Sequence, residues 1–297
     1  MKIQQLIIAI TSLSALLFYS RAGKSEQSPN KSILYQAMTH KDQDQPEPLL
    51  TSLSARIGHI EVDIFLDEAT GQLLVGHDRD ELDPVKNLES MYLGPLKDWA
   101  DTWGIIYPEG SPLNLYVDVK SDASKTYIAI HNLLKNKYSN LVSRVERGRF
   151  VAGHLNVVIT GNRDWEAIKS EKIRFVSIDG RLSDLGQHYP PNLVPMISDN
   201  WKLLFPDWQE GDALSSRQRQ IIKGLAFDAG LNGQYLRFWA TPEDPQLWSE
   251  LLRLGGGTIV LNTDKPVKLS RFLSSKGDHF PFGKVKSVKA VSPEDGL

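Results

Sequence analysis

An α/β fold closed into an eight-stranded barrel is what this sequence predicts, and three observations predict it. Apolar, β-branched runs alternate with helically spaced ones over roughly 250 residues, the pattern and span of repeated parallel β/α units. Eight such runs can be counted, near residues 33, 60, 114, 155, 174, 194, 235 and 258. Polar residues recur at the ends of these runs, where a (β/α)8 barrel carries its active site. A doubly wound open sheet is the alternative, but no glycine-rich phosphate loop follows the first strand.

Taken in order, Ser32 to Met38 reads as the first strand and ends at Thr39-His40-Lys41-Asp42. Pro46 and Pro48 mark a turn, and Glu47 to Ile57 has the Leu49, Leu50, Leu53, Ile57 spacing of a helix, stopped by Gly58. The stretch His59 to Asp78 holds the second strand, a turn at Asp67 to Gly71, a short strand at Leu73 to Val75, and then His77-Asp78. Leu88 to Trp103 is helical, broken by Gly94-Pro95 and closed by Gly104. Leu113 to Lys120 is a strand and Asp122 to Lys135 a helix; Leu155 to Thr160, Ile173 to Asp179 and Leu193 to Ser198 are further strands. Trp201 to Asp212 is irregular and carries Trp201, Phe205 and Trp208, which either cap the barrel or contact lipid. Ser215 to Ala229 is a helix and Gln234 to Trp239 a strand. Asp244-Pro245 starts a helix with an Asp cap and Pro in the first turn, and Gly255 stops it. Thr258 to Asn262 is the last strand and Val267 to Leu273 the last helix.

The 297 residues are 41% hydrophobic and carry a formal net charge of −2. That suffices for one large domain or two small ones. The near-neutral balance offers no electrostatic case for nucleic acid. With no cysteine, disulfides, thiolate metal sites and a lipid-modified cysteine are all excluded.

The chemistry concentrates in HIEVDIFLDEATGQLLVGHD, residues 59 to 78. Glu61 and Asp63 are two apart, so on a strand they share a face while Ile60, Val62 and Ile64 take the other. Alone, this pattern equally describes an antiparallel strand with its acids in water. The repetition of the anomaly decides against that: in LNLYVDVK, Asp118 and Lys120 again share one face, and Trp239 and Asn262 end later strands. Glu61, Asp63 and Asp118 on neighbouring strands form an all-oxygen site suited to one divalent cation, Mg²⁺ or Ca²⁺. Their three negative charges balance a divalent cation and Lys120. Without a cation the three would repel one another and favour proton uptake. His40 and His77, at separate strand ends, suit paired acid and base work near neutral pH. His59, His131, His154, His188 and His279 read as structural or solvent-facing.

E-x-D followed by H-D, with D-x-K on the next long strand, resembles the glycerophosphodiester phosphodiesterase and phosphatidylinositol-specific phospholipase C superfamily. Within it, the chain is most similar to the branch related to the altered inheritance of mitochondria proteins. The resemblance is carried by HKDQDQPEPLL, HIEVDIFL, LLVGHDRDELDP, LYVDVKS, LRFWATPE and VLNTDKP, from about residue 33 to 275. It implies a (β/α)8 TIM barrel of the phospholipase-C-like phosphodiesterase type. It also implies catalytic histidines at His40 and His77 and metal carboxylates at Glu61, Asp63 and Asp118. Similarity to the sphingomyelin-cleaving phospholipase D toxins adds Lys120, Trp239 and Asn262 as substrate-binding residues. Lys41 stands where this branch usually has asparagine, a departure that bears on substrate preference and makes Lys41 a further phosphate-binding candidate. Asp118 stands where many glycerophosphodiesterases have glutamate.

The expected function is therefore a metal-dependent phosphoric diester hydrolase acting on a glycerophosphodiester or phospholipid head group. The resemblance implies attack by a neighbouring substrate hydroxyl and a cyclic phosphate. A non-catalytic phosphate- or lipid-binding barrel is the alternative; a glycoside hydrolase fits less well, since two acids on one strand end are a poor pair and two histidines go unexplained. The expected partners are a phosphodiester or phospholipid-derived substrate and a membrane surface met peripherally, but no nucleic acid.

The expected domain layout is a signal peptide over 1–22, a flexible leader over 23–31, the barrel over 32–282 and a loose tail over 283–297. Lys2, the apolar run Leu6 to Tyr19 and small residues Ser20 and Ala22 give the layout of a secretory signal. An uncleaved membrane anchor is the competing reading, though the run is shorter than the roughly 20 residues a span needs. Secretion or periplasmic export then predicts a mature N-terminus at Gly23. N-terminal sequencing of protein from the native host tests this, and intact Met1 on a cytosolic protein refutes it.

Overall fold

The computed structural model describes residues 32–276. The signal-peptide, leader and tail assignments, and His279, lie outside the described residues.

Eight parallel strands close into a barrel: β1 Leu34–Thr39, β2 Ile57–Leu66, β3 Leu113–Val119, β4 Leu155–Gly161, β5 Val176–Gly180, β6 Met196–Asn200, β7 Tyr235–Trp239 and β8 Ile259–Thr263. Each pairs with the next in sequence, and β1 pairs with both β8 and β2, which completes the ring. The short strand Leu73–Val75 adds antiparallel to the end of β2, as the hairpin reading anticipated. The expected (β/α)8 barrel is thus the observed fold, and among the described residues no helix is long and apolar enough to cross a membrane.

Strand alternation sorts the side chains. Ile60, Val62 and Ile64 of β2 enter an outer core with the helices flanking β2 to β5, whereas Met38, Tyr116, Val158, Met196 and Val260 fill the barrel interior. A second outer core, around Trp201, Trp248 and Leu252, covers β6 to β8 and part of β1. Helix ends follow local chemistry. Asp244 accepts from Gln246 N at 2.8 Å to start Pro245–Gly255, and Gly256 closes it in the left-handed region at φ 56°. Ser215 and Gln218 form a capping box on Ser216–Leu231.

Several expectations change, and one open alternative is resolved. The helix read over Glu47 to Ile57 shrinks to Leu50–Ser54, because β2 already begins at Ile57. Gly58 is therefore a strand residue rather than a helix stop. A Cβ there would lie 2.9 Å from the Tyr35 ring and 3.0 Å from Leu34 O, so its absence lets β1 and β2 close together. Gly94-Pro95 does not break its helix: a π-turn over Glu89–Leu93 runs directly into Gly94–Trp103, with Pro95 in the first turn where its missing N–H costs nothing. The strand read over Ile173 to Asp179 divides at Phe175, Ile173–Arg174 joining Arg144–Glu146 and Arg149–Val151 in a small antiparallel sheet outside the barrel. The aromatic segment after β6 turns inward. Trp201 is buried and packs edge-on against Phe205, Trp208 and Phe238, so it caps the side of the barrel.

The loop after β1 is pinned from inside by Asp42, which is fully buried. Its carboxylate accepts from Leu49 N at 2.6 Å, Ser52 Oγ at 2.5 Å and Tyr92 OH at 2.9 Å. Burial raises its pKa above the ordinary aspartate value, against the three hydrogen bonds that lower it. The folded state therefore holds this proton more tightly than the unfolded state, and stability falls as pH rises through the interval between the two values. Wild type should gain stability relative to Asp42→Asn as pH falls through the carboxylate range, measured by urea melts. Asp42→Ala should lose roughly 3 kcal/mol, since each buried donor left unpaired costs about 1–3 kcal/mol.

Candidate active site

Parallel registration of β2 against β3 sets Asp63 opposite Asp118 and Glu61 opposite Tyr116. The inward face of β2 thus carries His59, Glu61 and Asp63 in successive layers. At the mouth, Glu61, Asp63 and Asp118 offer oxygen atoms that lie within 4.8 Å of one another.

Two cations and an imidazole surround them. Lys120 Nζ is 2.7 Å from Asp118 Oδ2 and 3.2 Å from Asp63 Oδ1. Arg237, reaching across the interior from β7, donates to Glu61 Oε2 at 2.5 Å and, through Nε, to Asn262 Oδ1 at 2.9 Å. His77 Nδ1 is 2.8 Å from Asp63 Oδ2. Gln43 grips Asp63 twice, its Nε2 donating to Oδ2 at 2.9 Å and its Oε1 accepting from Asp63 N at 3.2 Å. Burial, followed by the neighbouring Glu61 charge, pushes the Asp118 carboxyl up to about 6, while Lys120 opposes the rise.

The donor set fits a hard divalent cation. Asp63 Oδ1 and Asp118 Oδ1 are buried and accept no hydrogen bond, although buried carboxylate oxygens ordinarily find donors. Gly161 makes room for one of them. It sits at φ +67° at the end of β4, where a Cβ would lie 2.0 Å from Asp118 Oδ1.

The structure brings the sequence-predicted residues to one rim but divides them. Asp63, Asp118, Lys120 and His77 form one bonded cluster; Glu61, with an oxygen within 4.8 Å of the other two acids, is bonded to Arg237, which reaches Asn262. His40 lies apart from that network; its Nδ1 is 2.8 Å from Asp264 Oδ1, and its backbone N–H donates to Thr263 O. The Asp264 carboxyl is held below its usual value, chiefly by this bond. Lys41 takes the left-handed region at φ 48°, its main-chain oxygen accepts from Asp44 N at 3.0 Å, and its ammonium makes no hydrogen bond or ion pair among the described residues. Trp239 is half-buried at the end of β7, beside Asn200. His59 is structural as expected: Nε2 meets Tyr35 O at 3.0 Å, its ring packs among Tyr35, Tyr116 and Tyr235, and burial drives its pKa down to about 3.

Sequence reasoning missed Arg237, Gln43 and Asp264. Arg237 left a signal, being a lone charge inside the apolar strand YLRFW, two residues before Trp239 and hence on its face. Gln43 and Asp264 left none beyond lying in the HKDQDQ and NTDKP segments.

A closed parallel barrel with three mutually close carboxylates at its mouth defines a β/α-barrel protein equipped to hold a divalent cation. No family model matches the chain. It is, however, 31% identical over 276 residues to altered inheritance of mitochondria protein 6 of Eremothecium gossypii, covering 81% of this chain and 70% of that one. A homologue of that protein from Arthroderma benhamiae is 26% identical over 255 residues, covering 76% and 80%. The chain belongs to the altered inheritance of mitochondria protein 6 family. Among solved structures, a candidate glycerophosphodiester phosphodiesterase from Galdieria sulphuraria shares the barrel at TM-score 0.50 and 12% identity, over 82% of this chain and all of that one.

If Asp118 is a cation ligand, Gly161→Ala should disable it. The added Cβ displaces Oδ1, and the left-handed backbone adds roughly 1–2 kcal/mol of strain. The rise in melting temperature on titrating Mg²⁺ or Ca²⁺ should shrink severalfold relative to wild type, because only native-state binding produces it. An unchanged metal-dependent rise would contradict the ligand assignment.

Proposed function

We propose that this protein is a metal-dependent phosphodiesterase acting on a glycerophosphodiester or phospholipid head group, with His40 and His77 as its acid and base. The observation that carries the reading is the parallel arrangement of the two imidazoles. Each has Nδ1 on a carboxylate at 2.8 Å, Asp264 for His40 and Asp63 for His77, at the rim that holds the three clustered acids. A carboxylate on Nδ1 fixes the tautomer and leaves Nε2 to take or give a proton. Both rings are partly open to solvent, as proton transfer to a substrate requires.

A divalent cation held by Glu61, Asp63 and Asp118 would polarise the phosphoryl oxygens. Lys120, already bridging Asp118 and Asp63, supplies a positive charge beside the phosphorus position. Arg237, donating to Oε2, holds Glu61 in place. One histidine accepts the proton of an attacking hydroxyl, from a neighbouring position on the substrate or from water, and the other protonates the leaving alkoxide. Attack by the substrate's own hydroxyl yields a cyclic phosphate. Trp239 and the amide nitrogen of Asn262, whose oxygen is engaged by Arg237, line the head-group side, and Lys41 offers an unpaired ammonium to phosphate. Export and peripheral contact with a membrane complete the proposal, resting on the N-terminal sequence and the lipid-derived substrate class.

A glycoside hydrolase is disfavoured by arrangement. Glu61 and Asp63 project from the same strand end on one side of the site, a poor arrangement for acids that must flank a sugar, and the two carboxylate-held histidines would have no role. A non-catalytic barrel is separated by assay. A phosphodiester panel run with and without EDTA should show metal-dependent turnover. His40→Ala and His77→Ala should each lower it by about 10²–10⁴-fold, non-additively when combined. His59→Ala should instead lower stability with little effect on turnover. Wild-type rates in both single variants would dismiss the acid/base assignment.

A further inference from the structure

Beside the clustered acids, on the β4–β5 side of the mouth, the structure holds a second charged group that the proposed reaction does not use. Arg181 is engaged on every side: its Nη1 lies 3.0 Å from Asp179 Oδ2 and 3.1 Å from both Gly180 O and Ser198 Oγ. Asp179 also accepts from Thr160 Oγ1 at 2.9 Å and Ser198 Oγ at 2.5 Å. Arg163 is different. Its guanidinium has five N–H donors and uses one hydrogen bond, from Nη1 to the main-chain oxygen of Asp179. It forms no ion pair among the described residues. Asp179, Asp184 and Asp118 are near enough for their charges to be felt. Asp179 is paired with Arg181, Asp184 accepts Arg181 N at 2.7 Å, and Asp118 is paired with Lys120.

The chain holds Arg163 in this position deliberately on both sides. Gly161 turns the backbone at the end of β4. Asn162 N then donates to Val119 O at 2.9 Å, and its Nδ2 donates to Ser121 O at 2.9 Å, which ties the loop to the end of β3 on either side of Lys120. Asp164 next caps the helix Trp165–Ser170 through Ala167 N at 3.0 Å and takes Ser124 Oγ at 2.5 Å. Burial first, and Arg181 second, press its pKa below the usual arginine value, against the pull of Asp179, Asp184 and Asp118. None of those carboxylates bonds the guanidinium among the described residues, so its remaining N–H groups are open to an anionic group of a ligand.

We infer that Arg163 is a specificity-determining residue that binds a carboxylate carried by the substrate beside its phosphate. A carboxylate is indicated because a planar guanidinium pairs with one bidentately, and Arg163 leaves most of its N–H donors uncommitted among the described residues. The inference rests on the proposed phosphate site over Glu61, Asp63 and Asp118, and the test separates the two.

Glycerol 2-phosphate and 2-phosphoglycerate differ only in a hydroxymethyl group replaced by a carboxylate. Their binding to the Mg²⁺- or Ca²⁺-loaded protein is measured by calorimetry. Wild type should bind 2-phosphoglycerate about tenfold tighter or more, the scale of one charge-assisted pair. Arg163→Gln should bind the two alike while keeping wild-type affinity for glycerol 2-phosphate. Arg163→Lys, which keeps the charge but not the fork, should retain part of the preference and serves if the glutamine variant does not fold. Equal binding of the two ligands by wild type, or a preference unchanged in either variant, overturns the role of Arg163 while leaving the phosphodiesterase reading in place. Failure of wild type to bind either ligand overturns both.

Discussion

Three carboxylates crowded at one end of a parallel barrel constrain everything around them. Buried like charges this close cannot stay ionised without compensation. The protein surrounds them with Lys120, Arg237 and the imidazole of His77, yet among the described residues it leaves Asp118 Oδ1 with no hydrogen-bond donor and Asp63 Oδ1 with only the Lys120 ammonium 3.2 Å away. The compensating groups come from strands on both sides of the ring and from the loop after the β2 hairpin. Strand registration, the closure of β1 on β2 and the turn at Gly161 all answer to the geometry of this one cluster.

The barrel was legible because its signals are repetitive: strand and helix periods alternate through the chain, and the acids recur at strand ends. The clustered acids were legible because a charged residue within a β-branched strand is conspicuous. Other features were not, for physical reasons. Gly58 reads as a helix stop in one dimension, yet its role is to let two backbones approach, a contact between β1 and β2 that local sequence does not encode. Arg237 pairs with Glu61 over a separation of 176 residues, which no spacing rule detects. Gln43 and Asp264 are ordinary polar loop residues until the fold delivers them to Asp63 and His40. The π-turn before Gly94 was hidden because Gly-Pro is as apt at a helix start as at a break.

The two histidines are held by different means, and this bears on how the site is built. His77 is bonded to the carboxylate cluster itself, so whatever changes the charge there also changes its partner. His40 relies on Asp264, at the end of β8, and on a loop fixed by the buried Asp42. The acid/base groups of one reaction would thus have separate supports, one tied to the charge of the metal site and the other to the packing of the β1 loop.

The Arg237–Glu61 pair also says something about how the barrel can come together. The outer helices pack in two apolar bodies, one around β2 to β5 and the other around β6 to β8, bridged on the outside by Trp165 and Leu193. The ion pair joins them through the lumen. Until the ring closes, each half would carry a charge that has lost water without gaining its partner, a state several kcal/mol uphill. The pair therefore acts as a cooperativity device: it penalises half-formed barrels and binds the two outer cores into one folding unit.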